Sequence, residues 1–272
     1  MPGYLWREEG TVKWLLWEAF LDTGLVSHGF TTRHGGVSAG EFATLNMAFH
    51  VGDDPGHVLI NRDRACRALE MNPAHLVAGQ QVHGDRVAVV GKVHRGRGAR
   101  STEDALPATD ALITGELLVP LSSYYADCVP VFLLDPVRRV VGLAHAGWRG
   151  TYLDIAAKTV EAMGRFFGSR PGDCLAGIGP SIGPCCYEVD APLVDLFKEH
   201  FPFWQDLLVP NPSGKWQLDL WEANRRVLLE AGLVPENIFI AGVCTCCRQD
   251  LFFSYRGSGG RTGRMAALIM LT

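Results

Sequence analysis

Two short apolar runs constrain this chain most. Val129 to Leu134 and Val140 to Ala144 have the length of buried core strands, and Asp135-Pro136 between them supplies the break of a turn. Antiparallel pairing across that turn would bring Cys128, just before the first run, and His145, just after the second, to one sheet edge. A thiolate and an imidazole so placed can bind a soft or borderline metal, or work as a nucleophile and base pair. The best third candidate is His83 in the segment GQQVHGD, because it follows the apolar run ending at Ala78 and is flanked by Gly84, which leaves room for close backbone approach. Two histidines and a cysteine, with the fourth position left to water, are the pattern of a catalytic zinc site and not of a closed structural one.

The rest of the chain narrows the setting. A net charge of -4, from 25 basic and 29 acidic residues, gives no global basic field for nucleic acid or an anionic membrane. The first ten residues, MPGYLWREEG, lack the basic start and apolar core of a secretory signal, and no window approaches the roughly 18 to 20 apolar residues of a membrane span. These features predict a cytoplasmic location with no membrane or nucleic-acid partner. Eight cysteines are then expected as reduced thiols. Cys185-Cys186 and Cys246-Cys247, with Cys244 nearby, invite a second metal site, but adjacent cysteines rarely chelate one tetrahedral ion, so they are expected to pack as small apolar side chains in a tight core corner.

Strand patterns recur at Val26–Thr32, Leu76–Gln81, Arg86–Val90, Leu175–Ile178, Ile238–Val243 and Ala266–Leu271. Helical patterns cover Gly56–Met71, Ala191–Phe201 and Asp219–Gly232, with Asp219 as cap and Gly232 as stop. A further helix opens at Gly147-Trp148-Arg149-Gly150 and runs to about Phe167, burying Leu153, Ala156, Ala157, Val160 and Met163; its N-terminus would offer amides to an anion, reinforced by Arg149. Lys92–Asp104, with Arg95, Arg97 and Arg100 among glycines, reads as a mobile surface loop. Phe252–Arg264 interleaves aromatic and Arg residues in a Gly-rich loop that suits a purine ring and a phosphate. No linker divides the chain, and residues 1–272 are expected to form a single α/β domain.

The ordered segments TTRHGGVSAGEFATLNMAFHVGDDPGHVLINR, QQVHG, DALIT, ADCVPVFLLDP, AHAGWRGT, GIGPSIGPCCYEV and FFSYRGSGGRTGRMA resemble the YfiH/YlmD-type laccase-domain family. That family is also described as multicopper polyphenol oxidase domain proteins and as purine nucleoside phosphorylases related to human laccase domain-containing protein 1. The segments run from Thr31 to Ala266, nearly the whole chain. The resemblance implies a layered α/β/β/α sandwich and a zinc centre on His83, Cys128 and His145. It implies a zinc-dependent enzyme that phosphorolyses adenosine, inosine, guanosine and methylthioadenosine and deaminates adenosine. After SYR the family usually shows a second Arg and an acid, where this chain has Gly257 and Ser258.

For that chemistry Arg62, Arg149 and Arg256 are the candidate anion donors, Arg62 with a catalytic role, while Asn46 or Gln81 would bind base or ribose. Ser181 lies in the loop Gly179–Pro184, whose amides could surround an oxyanion. Copper oxidase chemistry on phenols is the alternative the family's older name carries. Blue multicopper oxidases use a larger set of paired histidines, and this chain has 9 histidines and no HxH; copper could still bind adventitiously. A metal-free hydrolase using Cys128 and a histidine is a further alternative.

Overall fold

The computed structural model describes residues 3–272. Two six-stranded sheets lie face to face. The first runs Tyr4–Glu9, Val12–Trp17, Val26–Thr31, Met265–Leu271, Leu121–Tyr125, Val77–Ala78. The second runs Ile238–Ile240, Leu175–Ile178, Val129–Asp135, Val140–Ala146, Ala111–Thr114, Val87–Val89. A small third sheet joins Glu188–Val189, Trp216–Leu218 and Leu208–Pro210. Helix Pro55–Ala68 covers the outer face of the first sheet, and helices Ile155–Phe167, Ala191–His200 and Leu220–Glu230 cover the second. The result is the α/β/β/α layering that the family resemblance implies.

Three apolar layers hold this stack together. Between the sheets, Trp17, Phe30, Tyr125, Phe132, Phe252 and Phe253 interlock. Each buries about 150–250 Å² of mostly apolar surface, so this aromatic layer dominates the attraction between the sheets. Gly177 faces Phe132 across its strand pair, and a Cβ there would collide with the Trp17 indole. Glycine at that position therefore lets the indole of one sheet lie directly on the backbone of the other. Ala156, Val160 and Met163 fill the layer beneath the second sheet, as their helical spacing predicts.

The central strand pair forms as expected. Val129–Asp135 and Val140–Ala146 pair antiparallel, with Pro130 opposite His145 and Asp135 opposite Val140. Asp135 accepts from the amides of Val137 and Arg138, both at 2.9 Å, and so closes the turn. Asp219 caps its helix through the amides of Trp221 and Glu222. The helix expected from Gly147 to Phe167 instead breaks in two, Trp148–Tyr152 and Ile155–Phe167, because Asp154 takes a left-handed conformation between them. The cysteines also part company with their expected role. Cys66 and Cys174 are buried, and desolvation pushes both thiols up to about 12, but Cys185 and Cys247 are exposed.

No helix among the described residues is long and apolar enough to cross a membrane. The hairpin Tyr4–Glu9 with Val12–Trp17, absent from the expected strands, builds one edge of the first sheet.

Candidate active site

The site begins with Asp110, the first residue of DALIT, whose role only the fold reveals. It stands directly before the Ala111–Thr114 strand, which pairs with Val140–Ala146 and so lies alongside His145. Its carboxylate accepts from the backbone amides of Val82, His83 and Gly84 at 3.1, 3.0 and 2.9 Å. It also faces His145 Nδ1 at 2.9 Å. One buried carboxylate thus holds the turn that carries His83 and orients the His145 ring. Burial opposes its charge, but the His145 hydrogen bond and the amide donors win, keeping its carboxyl below the usual range.

That scaffold brings the three expected ligands together. The ligand atoms of His83, Cys128 and His145 all lie within 4.8 Å of one another, with His83 Nε2 3.7 Å from Cys128 Sγ. Tetrahedral zinc bonds of about 2.3 Å to sulfur and 2.0–2.1 Å to nitrogen place those two atoms about 3.6 Å apart. The donor set and its spacing therefore fit a metal. Asp110 behind His145 is the outer-shell carboxylate such centres use to fix the imidazole tautomer.

Without a metal, desolvation resists the charged forms, yet the two charges sustain each other. The positive His145 brings the Cys128 thiol down to about 6, while Cys128 and Asp110 bring His145 up to about 9.

Gly147 explains why the motif AHAGWRG needs its glycine here. A Cβ at that position would stand 2.9 Å from Cys128 Sγ and 3.0 Å from His83 Cδ2. The Gly147→Ala chain should fold, because position 147 has ordinary φ and ψ of -64° and 174°, but its metal dissociation constant should rise about tenfold or more, as a shift in ligand geometry implies. A chelator-competition titration checks this; an unchanged constant would mean the site relaxes freely.

The centre opens into a cavity of about 690 Å³, within the range of small-molecule sites. Tyr124, Tyr187 and Tyr255 contribute aromatic surface, and Arg62, Arg256 and Arg264 contribute charge. Every hydrogen bond made by these three guanidinium groups goes to a backbone carbonyl, none to a carboxylate among the described residues. His50 also lines the cavity; burial first, then the nearby Arg264 and Arg62 charges, depress its pKa and favour the neutral ring. The loop expected to be mobile surface instead supplies Gly98, Ser101 and Thr102 to the wall.

Other expected binding residues land elsewhere or have their groups occupied. Asn46 is fully buried, binding Ala48 and Asp53 through its amide nitrogen and accepting from the Ala48 and Arg264 amides. Ser181 is fully buried beneath Trp221, whose indole donates to its Oγ at 2.6 Å. Arg149 is exposed and does not line the cavity, and its helix, Trp148–Tyr152, has 5 residues. Gln81 lines the cavity, but its amide pairs with both backbone groups of Tyr124. Arg62 is 2% exposed and sandwiched between Phe49 and Tyr124, each ring 4.3 Å away. Its Nε and Nη1 bind the carbonyls of Met47, Gly98 and Ala99, so it braces the wall, with its Nη2 left over. Asp127, beside Cys128, turns its carboxylate to Thr245 Oγ1 and the Arg256 amide, at 2.7 and 2.6 Å.

Residues 27–272 match the family described as multi-copper polyphenol oxidoreductase laccase. The chain belongs to that family. It is 45% identical to the purine nucleoside phosphorylase YlmD of Geobacillus stearothermophilus over 242 residues, covering 89% of this chain and 88% of that protein. It is 38% identical to the adenosine deaminase RL5 of an unknown prokaryotic organism, covering 86% of this chain and 90% of that one. The crystal structure of YlmD from Geobacillus stearothermophilus superposes with a TM-score of 0.94 at 41% identity, covering 100% of this chain and 99% of the other.

Proposed function

We propose that this family member is a zinc-dependent purine nucleoside phosphorylase with adenosine deaminase activity, one α/β domain over residues 1–272 working in a reducing cytosol. The observation that carries the reading is a three-ligand centre, His83, Cys128 and His145, opening into a cavity that combines tyrosine rings with three arginines bonded only to carbonyls. The names of the relatives supply the reaction class. Adenosine, inosine, guanosine and methylthioadenosine are the expected nucleosides, with phosphate as second substrate.

A bound zinc supplies Lewis-acid polarisation and acidifies water to a pKa of about 7. The chain's own groups do the rest. Tyr255 and Tyr187 offer faces for a purine. Arg256, Arg264 and the remaining Nη2 of Arg62 hold phosphate and offset the charge that develops as the purine leaves. Neutral His50 can donate or accept one hydrogen bond beside them.

The test is chromatography of adenosine and inosine with zinc-loaded protein, with and without phosphate. Free base plus ribose 1-phosphate appearing only with phosphate, and inosine formed from adenosine, are expected. Absence of turnover from folded, metal-loaded protein would overturn the reading. The thiolate and imidazolium pair of Cys128 and His145 favours, as second reading, a metal-free cysteine hydrolase. It predicts rapid Cys128 alkylation by iodoacetamide in protein purified without chelators. Copper-dependent polyphenol oxidation is the third, carried by the family description; among the described residues, histidines contribute to one metal-competent group, and copper there is read as adventitious.

A further inference from the structure

The strands Leu175–Ile178 and Ile238–Ile240 run parallel as neighbours, so the loops that follow them leave the same end of the second sheet. A parallel bridge between Ser181 and Cys244 keeps those loops together, with the Thr245 amide donating to Ser181 O at 3.0 Å. This pairing brings together cysteines that are about sixty residues apart in sequence. The sulfurs of Cys185, Cys186, Cys244 and Cys247 all lie within 4.8 Å of one another. Cys247 Sγ stands 3.5 Å from Cys185 Sγ and 3.4 Å from Cys186 Sγ.

We propose that these four cysteines form a second metal site, a tetrathiolate centre for zinc that pins the two loops behind the active-site wall. Four sulfurs around zinc at about 2.3 Å stand about 3.8 Å apart; the two closest pairs, at 3.5 and 3.4 Å, lie a few tenths of an ångström inside that edge, and every pair is within 4.8 Å. A disulfide would need one pair at about 2.05 Å and would leave the other two thiols crowded beside it. The Gly183 amide donates to Cys244 Sγ at 3.3 Å, a bond that favours a charged sulfur. Cys244 is buried at the base, whereas Cys185 and Cys247 are exposed and give an ion its way in.

The site has a specific consequence for the cavity. Cys186 O and Glu188 O accept from Arg256 Nη1 at 3.4 and 3.1 Å, and Tyr187 between them lines the wall. On the other loop, Thr245 holds the Asp127 carboxylate next to Cys128. A metal joining both loops would fix Tyr187, Arg256 and Asp127 relative to the first centre.

Metal content reads this without any turnover, so its failure is distinct from failure of the nucleoside reading. Wild-type protein purified with reductant, loaded with Zn2+ and desalted should carry two zinc ions per chain by mass spectrometry of the metal. His83→Ala should carry one, and a Cys185→Ser/Cys247→Ser double variant one. In the wild-type and His83→Ala chains, zinc should slow N-ethylmaleimide labelling of Cys185 and Cys247 at least tenfold, and chelation should restore it. One zinc in the wild type with none in His83→Ala, labelling unaffected by zinc, or a cysteine pair that resists alkylation until reduced would each overturn the proposal. The labelling needs no cysteine variant and stands if the double variant does not fold.

Discussion

Cys128→Ala is expected to empty the first centre of metal and to lower kcat/KM for phosphorolysis about a thousand-fold or more. Cys128 is the only ligand of the three that can bind as an anion, and its sulfur sits 3.7 Å from His83 Nε2. Loss of several kcal/mol of metal-assisted stabilisation corresponds to about a thousand-fold in rate. Single-turnover assays beside metal analysis check it, and a metal-depleted variant that keeps wild-type turnover would separate the reaction from the centre.

The same ligand pair sets a pH dependence. Between about 6, where the Cys128 thiol ionises, and about 9, where His145 gives up its proton, the metal-free pair is thiolate and imidazolium. Nδ1 of His145 faces Asp110, so a metal must take Nε2 and displace one proton. Metal affinity should therefore rise about tenfold per pH unit from 6 to 9, more steeply below 6 and flatten above 9. Calorimetry in buffers of different ionisation enthalpy should record release of about one proton at neutral pH.

Asp110→Asn is expected to have the second largest effect. The carboxylate accepts from three consecutive amides and from His145, and an amide group replaces one accepting oxygen with a donor. At least one buried N–H then loses its partner, at about 1–3 kcal/mol. Metal affinity should fall about a hundred-fold, the upper end for an outer-shell partner, because Asp110 serves two ligands. Excess zinc should restore part of kcat, and the His145 pKa should fall below about 9 in NMR titration, which a purely structural role would not produce. Unchanged metal affinity with lowered stability would reduce Asp110 to a turn anchor.

Two side chains of the candidate metal site, Cys128 and His145, were legible because their signal is local. Cys128 and His145 flank apolar runs joined by Asp135-Pro136, and strand length, turn and pairing follow from side chains adjacent in sequence. The Phe252–Arg264 loop was legible in part: Tyr255, Arg256 and Arg264 reach the cavity, whereas Arg261 turns outward to Glu41. Asp110 carried a weak signal, an acid immediately before a buried run, that spacing alone does not distinguish from a turn residue.

Arg62 shows where local reasoning stops. Its helix position alone reads as a solvated face and the family resemblance turns it toward the site, but only the carbonyls of Gly98 and Ala99, brought in by a loop read as mobile, decide that it braces the wall. Asn46 and Ser181 were drawn in the same way into networks with Asp53, Arg264 and Trp221. The adjacent cysteines read as apolar filler until two parallel strands set their loops side by side.

The amino-acid sequence by itself determined the strand runs, the α/β class and three metal-competent side chains, because apolar period and residue chemistry are properties of short segments. Only the tertiary structure decided which polar groups face the cavity and which serve the frame. A buried donor must find an acceptor wherever the fold supplies one, and here those acceptors come from segments far away in the chain.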